Sequence, residues 1–376
     1  MRIPKKLKFP ILIESLLAII FFLAYTRALA QDLPIRNPLS IGLRAEYGFI
    51  IPHSKSIAQI SNSNPFGFTL DFNKALISQK SWEKCYCEAQ SGFSFSYFNF
   101  DNPKTLGSAI TSSAYFEPLI ANRKRLFFGV RGTFGLAYLS QVFDADRNPD
   151  NLFFSMPISF LLGVSLNTYY KINPHITFQL SMNYNHISNG GFKQPNKGMN
   201  FPTLSFGVVY SPKPFAIPDR TSFVKPPVNK HFYKQVWVLA SLKTVSAPDS
   251  LPNQSTFIYG ISASVGKQIS RYNIFHLGFE AIADGFAQET IRREGLNKDY
   301  HQIGLLFGHE LMLGKFIFSQ QIAWNAYSPF RSVPSDFYQR YMLAYRIGKN
   351  LTLGATLKAY KHVADIFDVR LGYVFL

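Results

Sequence analysis

His186, Ser188 and Asn189 close the stretch His175-Ile-Thr-Phe-Gln-Leu-Ser-Met-Asn-Tyr-Asn-His-Ile-Ser-Asn189. A serine hydroxyl is a weak nucleophile until a neighbouring base takes its proton, so a histidine–serine pair is the minimum equipment for nucleophilic acyl transfer. On a strand, residues two apart share a face and lie about 6.5–7 Å apart at Cα. An imidazole leaning along the strand covers most of that gap. The following segment runs Asn189-Gly190-Gly191-Phe192-Lys193-Gln194-Pro195-Asn196-Lys197-Gly198-Met199-Asn200-Phe201-Pro202. Its glycines and Pro195 let the chain fold back. Asn189 and Asn196 offer amide donors for a developing oxyanion, and Lys193 and Lys197 are suited to holding phosphate. In the return strand Pro202, Leu204, Phe206, Val208 and Tyr210 share a face that Asn200 continues. Asn200 is therefore expected on the same side as His186 and Ser188, where it can accept a hydrogen bond from His186 and fix its tautomer.

The face that carries these groups is apolar. Ile176, Phe178, Leu180, Met182 and Tyr184 lie on it, against Thr177, Gln179, Ser181, Asn183 and Asn185 on the other. A base and a hydroxyl ending an apolar stripe suit chemistry on lipid, performed at the outside of a membrane barrel. Other candidates compete poorly. His53 and Ser54 are adjacent and on a strand would point to opposite faces. His309-Glu310 lacks a second histidine four residues from the first, so it makes no zinc-binding helix. Arg340, Arg346 and Arg370 are expected to line a polar lumen. Cys85 and Cys87, read on a strand, have Cα atoms near the upper limit for bridging and serve as two structural cysteines. The chemistry calls for no metal and no organic cofactor.

The same alternation recurs along the chain. Leu126, Phe128, Val130, Phe134, Leu136 and Tyr138 oppose Arg131, Thr133, Gly135 and Ala137. Near the end, Phe367, Val369, Leu371, Tyr373 and Phe375 oppose Asp368, Arg370 and Gly372. Long strands with one apolar face and one polar face mark transmembrane β-barrels; strands of soluble sandwiches are shorter, about five or six residues. Charged residues are 16% of the chain and aromatics also 16%, a balance suited to aromatic girdles at two membrane interfaces. The expected fold is all-β, a transmembrane antiparallel β-barrel of the outer-membrane type with about 12–16 strands, sixteen being the best count. Eight strands fall near residues 40–53, 64–75, 90–101, 107–119, 125–142, 153–171, 174–190 and 200–212. Eight more fall near 234–247, 255–269, 271–285, 299–313, 315–328, 337–348, 350–363 and 365–376. Residues 213–233, with Pro214, Pro218, Pro226 and Pro227, read as a connection. The organisation is thus residues 31–212 with the histidine–serine site, the connection, and residues 234–376 as further strands of the same barrel.

The chain opens on a basic segment, then an apolar run from Phe9 to Tyr25, then Ala28-Leu29-Ala30. This pattern predicts a cleaved signal peptide at residues 1–30. Its loss takes five basic residues and one acid from totals of 39 and 22, leaving a net charge of +13. With no basic helix or aromatic RNA-binding motif, that charge points to a phosphate-bearing lipid surface and away from nucleic acid.

His-x-Ser-Asn, a Pro-Asn pair and a return strand together resemble the outer-membrane lipid A 3-O-deacylase family, called acyloxyacyl hydrolase in its longer form. The likeness covers mainly residues 40–212 and is most specific over 186–202. It implies His186 as base, Ser188 as nucleophile, and Asn189 and Asn196 as oxyanion donors. The acid of the family, usually glutamate, falls at Asn200, which can orient an imidazole without supplying a negative charge. The implied activity is serine-dependent removal of an acyl chain from lipid A, or a related lipid, in the outer membrane. The rival is a non-enzymatic pore or scaffold barrel with a decayed site, and the two differ in whether the lumen is open or filled.

Overall fold

The computed structural model describes residues 37–375 apart from 124, 219–224, 226, 229–230, 246–251, 332 and 362. The expected signal peptide lies outside the described residues, as does part of the 213–233 connection. No described helix is long and apolar enough to cross a membrane; the crossing elements are strands. The first eight are β1 (Leu39–Gly48), β2 (Phe66–Leu76), β3 (Ala89–Asn99), β4 (Ser108–Arg123), β5 (Leu126–Leu139), β6 (Ile158–Lys171), β7 (Ile176–Ser188) and β8 (Met199–Tyr210). The second eight are β9 (Phe232–Val245), β10 (Gln254–Gln268), β11 (Asn273–Asp284), β12 (His301–Leu313), β13 (Phe316–Tyr327), β14 (Phe337–Arg346), β15 (Leu351–Tyr360) and β16 (Val363–Phe375).

Every strand is antiparallel to its neighbours. The two halves do not share one barrel, contrary to the expectation from the strand pattern. β8 returns to pair with β1, and β16 returns to β9, so the sixteen strands form two closed barrels of eight. Period-two alternation specifies which face of a strand meets lipid; it does not specify which edge meets which partner. Eight twisted strands suffice to close a barrel whose interior side chains can fill. Within one compact unit the two barrels touch near both ends, through Phe160 and Phe367 near one and Phe116 and Phe316 near the other.

The alternation is carried through literally. Along β1, Leu39, Ile41, Leu43 and Tyr47 are exposed, while Ser40, Arg44 and Glu46 point inward and are buried. The lumens are packed with polar side chains that satisfy one another. In the first barrel, Arg131 binds Glu117 at 2.9 Å and Asp71 at 3.1 Å. Glu117 also accepts from Tyr169 Oη (2.9 Å) and Asn167 Nδ2 (2.8 Å). The second barrel repeats the device with different residues. Arg340 joins Glu280 (2.8 Å) to Asp368 (2.6 Å), and Arg370 binds the same two carboxylates. Arg340 and Arg370 thus line the lumen as expected, and Arg346, on the same inward face of β14, turns its guanidinium toward Met312 Sδ.

Above the ion pairs the first barrel is capped by an apolar cluster at its long-loop end. Ile50, Ile57, Phe100, Phe153, Phe154, Ile187, Met199 and Phe201 belong to it. Among the described residues two short α-helices interrupt the all-strand expectation, α1 (Gln79–Cys85) and α2 (Gly285–Arg293), besides a 3-10 turn at Lys55–Ile57. α1 is capped by Ser78, whose side chain accepts from Ser81 N, and it ends at Tyr86 in the left-handed region (φ 50°). That turn brings the Cα atoms of Cys85 and Cys87 to 5.2 Å in a disulfide. The cysteines therefore sit at a helix end, where the spacing limit of a strand does not apply.

Removing one partner from a buried charge network leaves the others unpaired. Arg131→Ala is expected to lower stability by about 3–5 kcal/mol, measured by urea unfolding from detergent micelles; a loss below about 1 kcal/mol would contradict this account of the lumen.

Candidate active site

The site stands on the β7–β8 hairpin, whose register sets His186 opposite Asn200 and Ile187 opposite Met199. Ile187, Met199 and Phe201 point inward and are fully buried in the apolar cap. Because neighbours on a strand alternate, their burial turns His186, Ser188 and Asn200 to the outer face. Across the β6–β7 pairing, Leu162 lies beside His186 and Phe160 beside Ser188. The three polar groups therefore sit where the lipid-facing stripe of the barrel ends.

His186 Nδ1 lies 2.7 Å from Asn200 Oδ1. An amide oxygen only accepts, so the proton is on Nδ1 and Nε2 keeps its lone pair. A Cβ built on Gly198 (φ +67°) would lie 2.8 Å from His186 Cε1, 3.3 Å from Nε2 and 3.1 Å from Ser188 Cβ. Imidazole and serine thus flank a single point, and glycine alone leaves it free. Ser188 is buried (9% exposed), and its Oγ accepts from the backbone N–H of Gly190 at 3.4 Å.

The remaining anticipated residues take different parts. Asn189 is buried and its amide hydrogens go to Ser155 Oγ (3.0 Å) and Lys193 O (2.8 Å), while its oxygen accepts from Gly191 N (2.9 Å). Its side chain thus shapes the loop, and its donors, expected to face an oxyanion, are occupied. Asn196 Oδ1 accepts from Asn189 N at 3.1 Å, closing the loop from its other side. Lys193 and Lys197 are exposed at the loop surface. The loop is further tied to the β5–β6 connection, through Lys197 N to Leu152 O (3.0 Å) and Gly198 N to Phe153 O (3.3 Å).

His53 joins these residues, contrary to the expectation from its adjacency to Ser54. The β1–β2 connection runs alongside β8, with Ile51 N donating to Asn200 O at 2.8 Å, and this brings His53 to the site. Asn200 Nδ2 lies 3.5 Å from His53 Nδ1, and His53 Nε2 lies 2.9 Å from Lys197 O. The carbonyl can only accept, so His53 is protonated at Nε2 and receives the Asn200 amide at Nδ1. The order His53–Asn200–His186 then fixes the amide orientation, which in turn fixes the His186 tautomer. Strand alternation does not govern a loop, which is why adjacency to Ser54 was a poor reason to set His53 aside. Among the described residues no cluster of three His, Cys, Asp or Glu side chains is placed to hold a metal ion.

Comparison with known proteins divides the chain where the barrels divide. The family model for lipid A 3-O-deacylase (PagL) matches residues 66–209. The family model for the acyloxyacyl hydrolase C-terminal domain (PagL_C) matches residues 232–376. No curated protein matches the chain. Among solved structures, Neisserial surface protein A is similar at 12% identity over 46% of this chain and 96% of its own, with a TM-score of 0.33. The outer membrane enzyme PagL is similar at 15% identity over 44% and 97%, with a TM-score of 0.32. A Rh. blastica porin mutant is similar at 9% identity over 90% and 100%, with a TM-score of 0.22. At such scores these likenesses carry no argument about the chemistry.

The hydrogen-bond order makes a spectroscopic prediction. In mildly alkaline buffer, 15N shifts of His186 should report the Nδ1-protonated tautomer, and Asn200→Leu should abolish that preference. An Nε2-protonated ring in the unsubstituted protein would contradict the assignment.

Proposed function

The chain belongs to the outer-membrane lipid A 3-O-deacylase family, in the form that carries an acyloxyacyl hydrolase C-terminal domain, and we propose that it is a serine esterase removing an ester-linked acyl chain from lipid A. The observation that supports this reading most is the 2.7 Å contact of His186 Nδ1 with Asn200. It leaves Nε2 unprotonated, bordering the same point at Gly198 that Ser188 Cβ borders, on the outer face of the barrel.

In this mechanism Ser188 Oγ attacks the acyl carbonyl carbon while His186 Nε2 takes its proton. The Gly190 N–H, the donor 3.4 Å from Oγ, faces the developing oxyanion, and Asn196 borders the same loop. The ester C–O bond breaks as His186 returns the proton to the sugar alcohol. Water, deprotonated by His186, then attacks the acyl-serine; fatty acid leaves and Ser188 regains its hydrogen. Asn200 holds the imidazole, and the exposed Lys193 and Lys197 suit the phosphates of a lipopolysaccharide headgroup. Residues 1–30 act as a cleaved export signal in this reading.

A passive pore is the competing reading. Lumens crossed by Arg131–Glu117 and Arg340–Glu280 pairs leave the enzyme favoured. Planar-bilayer recordings are expected to show no steady conductance.

Mass spectrometry of lipid A after incubation with the folded protein tests the activity. Loss of one acyl chain is expected, and Ser188→Ala should abolish it. An unchanged mass with the unsubstituted protein in several detergents would overturn the proposal. Asn200→Glu supplies the charge that asparagine lacks and is expected to raise kcat by at least about tenfold, given how strongly the orienting acid acts in hydrolytic triads.

A further inference from the structure

The second barrel is not needed to build the hairpin, yet it meets the loop that follows Ser188. Five contacts join the second barrel to this loop and to the neighbouring β6. Phe367 packs on Gly190 so closely that a Cβ there would lie 2.7 Å from the Phe367 Cβ. The Asp365 carbonyl approaches Gly191, at 3.5 Å from the position of its missing Cβ. Thr244 N donates to Phe192 O at 3.0 Å. Phe367 also stacks on Phe160 with ring centroids 4.6 Å apart, and meets Phe192 edge-on at 6.2 Å.

The contacting residues are themselves held. β16 pairs with β9 only as far as Val369 and Ala240. Beyond that point the edge of β9 is open, and the Thr244 N–H is spent on the loop of the first barrel. Asp365 is fixed by Lys243 at 2.9 Å, and Ser241 Oγ donates to Phe367 O. What they grip is the least constrained backbone in the site: Gly190 and Gly191 both have positive φ, +68° and +89°. Two successive glycines have wide conformational freedom, so their geometry must be imposed from outside. Part is imposed by Asn189 and Ser155, and the second barrel covers the other side.

We propose that the C-terminal barrel is an intramolecular clamp for the nucleophile loop, in which Phe367, Asp365 and Thr244 hold Gly190, Gly191 and Phe192 respectively and so keep the Gly190 N–H beside Ser188 Oγ. Its catalytic meaning rests on the esterase reading; the clamp itself does not. Phe367 is a positioning residue, acting through Gly190 on a donor whose displacement by about 1 Å would cost on the order of 100-fold in rate.

The test uses the full-length protein with Phe367→Ala, Phe367→Leu and a control, Phe316→Ala, which removes the ring stacked on Phe116 at the other end of the same seam. Amide hydrogen exchange across residues 189–198 should quicken by about tenfold or more in Phe367→Ala, because local opening sets exchange rate. On lipid A its kcat should fall by about tenfold or more with KM changed less than about twofold, since the loop donor acts on the transition state. Phe367→Leu should restore much of both, and Phe316→Ala should alter neither. Unchanged exchange and kcat in Phe367→Ala would overturn the clamp, as would an equal effect of Phe316→Ala. An inert unsubstituted protein whose loop exchange still quickens in Phe367→Ala would sink the esterase reading and support the clamp.

Discussion

The hydrogen bond from His186 Nδ1 to Asn200 Oδ1, 2.7 Å long, is the contact on which the site depends, and it exists only because β7 and β8 pair in one register. A slip of one residue would turn His186 into the lumen and Ile187 out to lipid. Much of the first barrel can be understood as preventing that slip. Ile187, Met199 and Phe201 lock the inner side of the hairpin into an apolar cap. Lower down, Asn183 Nδ2 and Thr203 Oγ1 both reach Glu46, tying β7 and β8 to β1. The outward position of three polar groups is thus secured from within.

Charged lumens serve the same end. Hydrocarbon around the barrel gives Arg131 no tolerable alternative to its partners Asp71 and Glu117, because a cation at the bilayer midplane on the lipid face costs about 2–4 kcal/mol. A shifted strand would expose that arginine to lipid and leave two carboxylates unpaired. Arg340 and Arg370 with Glu280 and Asp368 impose the same condition on the second barrel. These networks fill space that a pore would leave to water. They connect an architectural need, fixed register, with the placing of the candidate site on the outer face of the barrel and not in a channel.

What could be read in the sequence was whatever depends on alternation. The faces of β7 and β8 follow from period two, and with them the expectation that His186 and Asn200 meet. Strand positions were legible for the same reason. Closure was not, because the return of β8 to β1 depends on the twist and edges of a finished sheet, and alternating faces say nothing of either. His53 was not legible as part of the site because its contact with Asn200 spans 147 positions and arises from a loop. The amide of Asn189 looked available for chemistry, and only the fold reveals that Ser155 and Lys193 claim its hydrogens. The cysteines were misread by assuming a strand where Tyr86 turns a helix end.

In the proposed site His186, oriented through Asn200, makes Ser188 a nucleophile at the outer edge of the first barrel. The most direct measurement is reaction of the folded protein with a lipid-like fluorophosphonate, followed by peptide mass spectrometry. One covalent adduct is expected on Ser188, and it should be lost in His186→Ala. An unreactive Ser188, or labelling that persists without His186, would contradict this assignment.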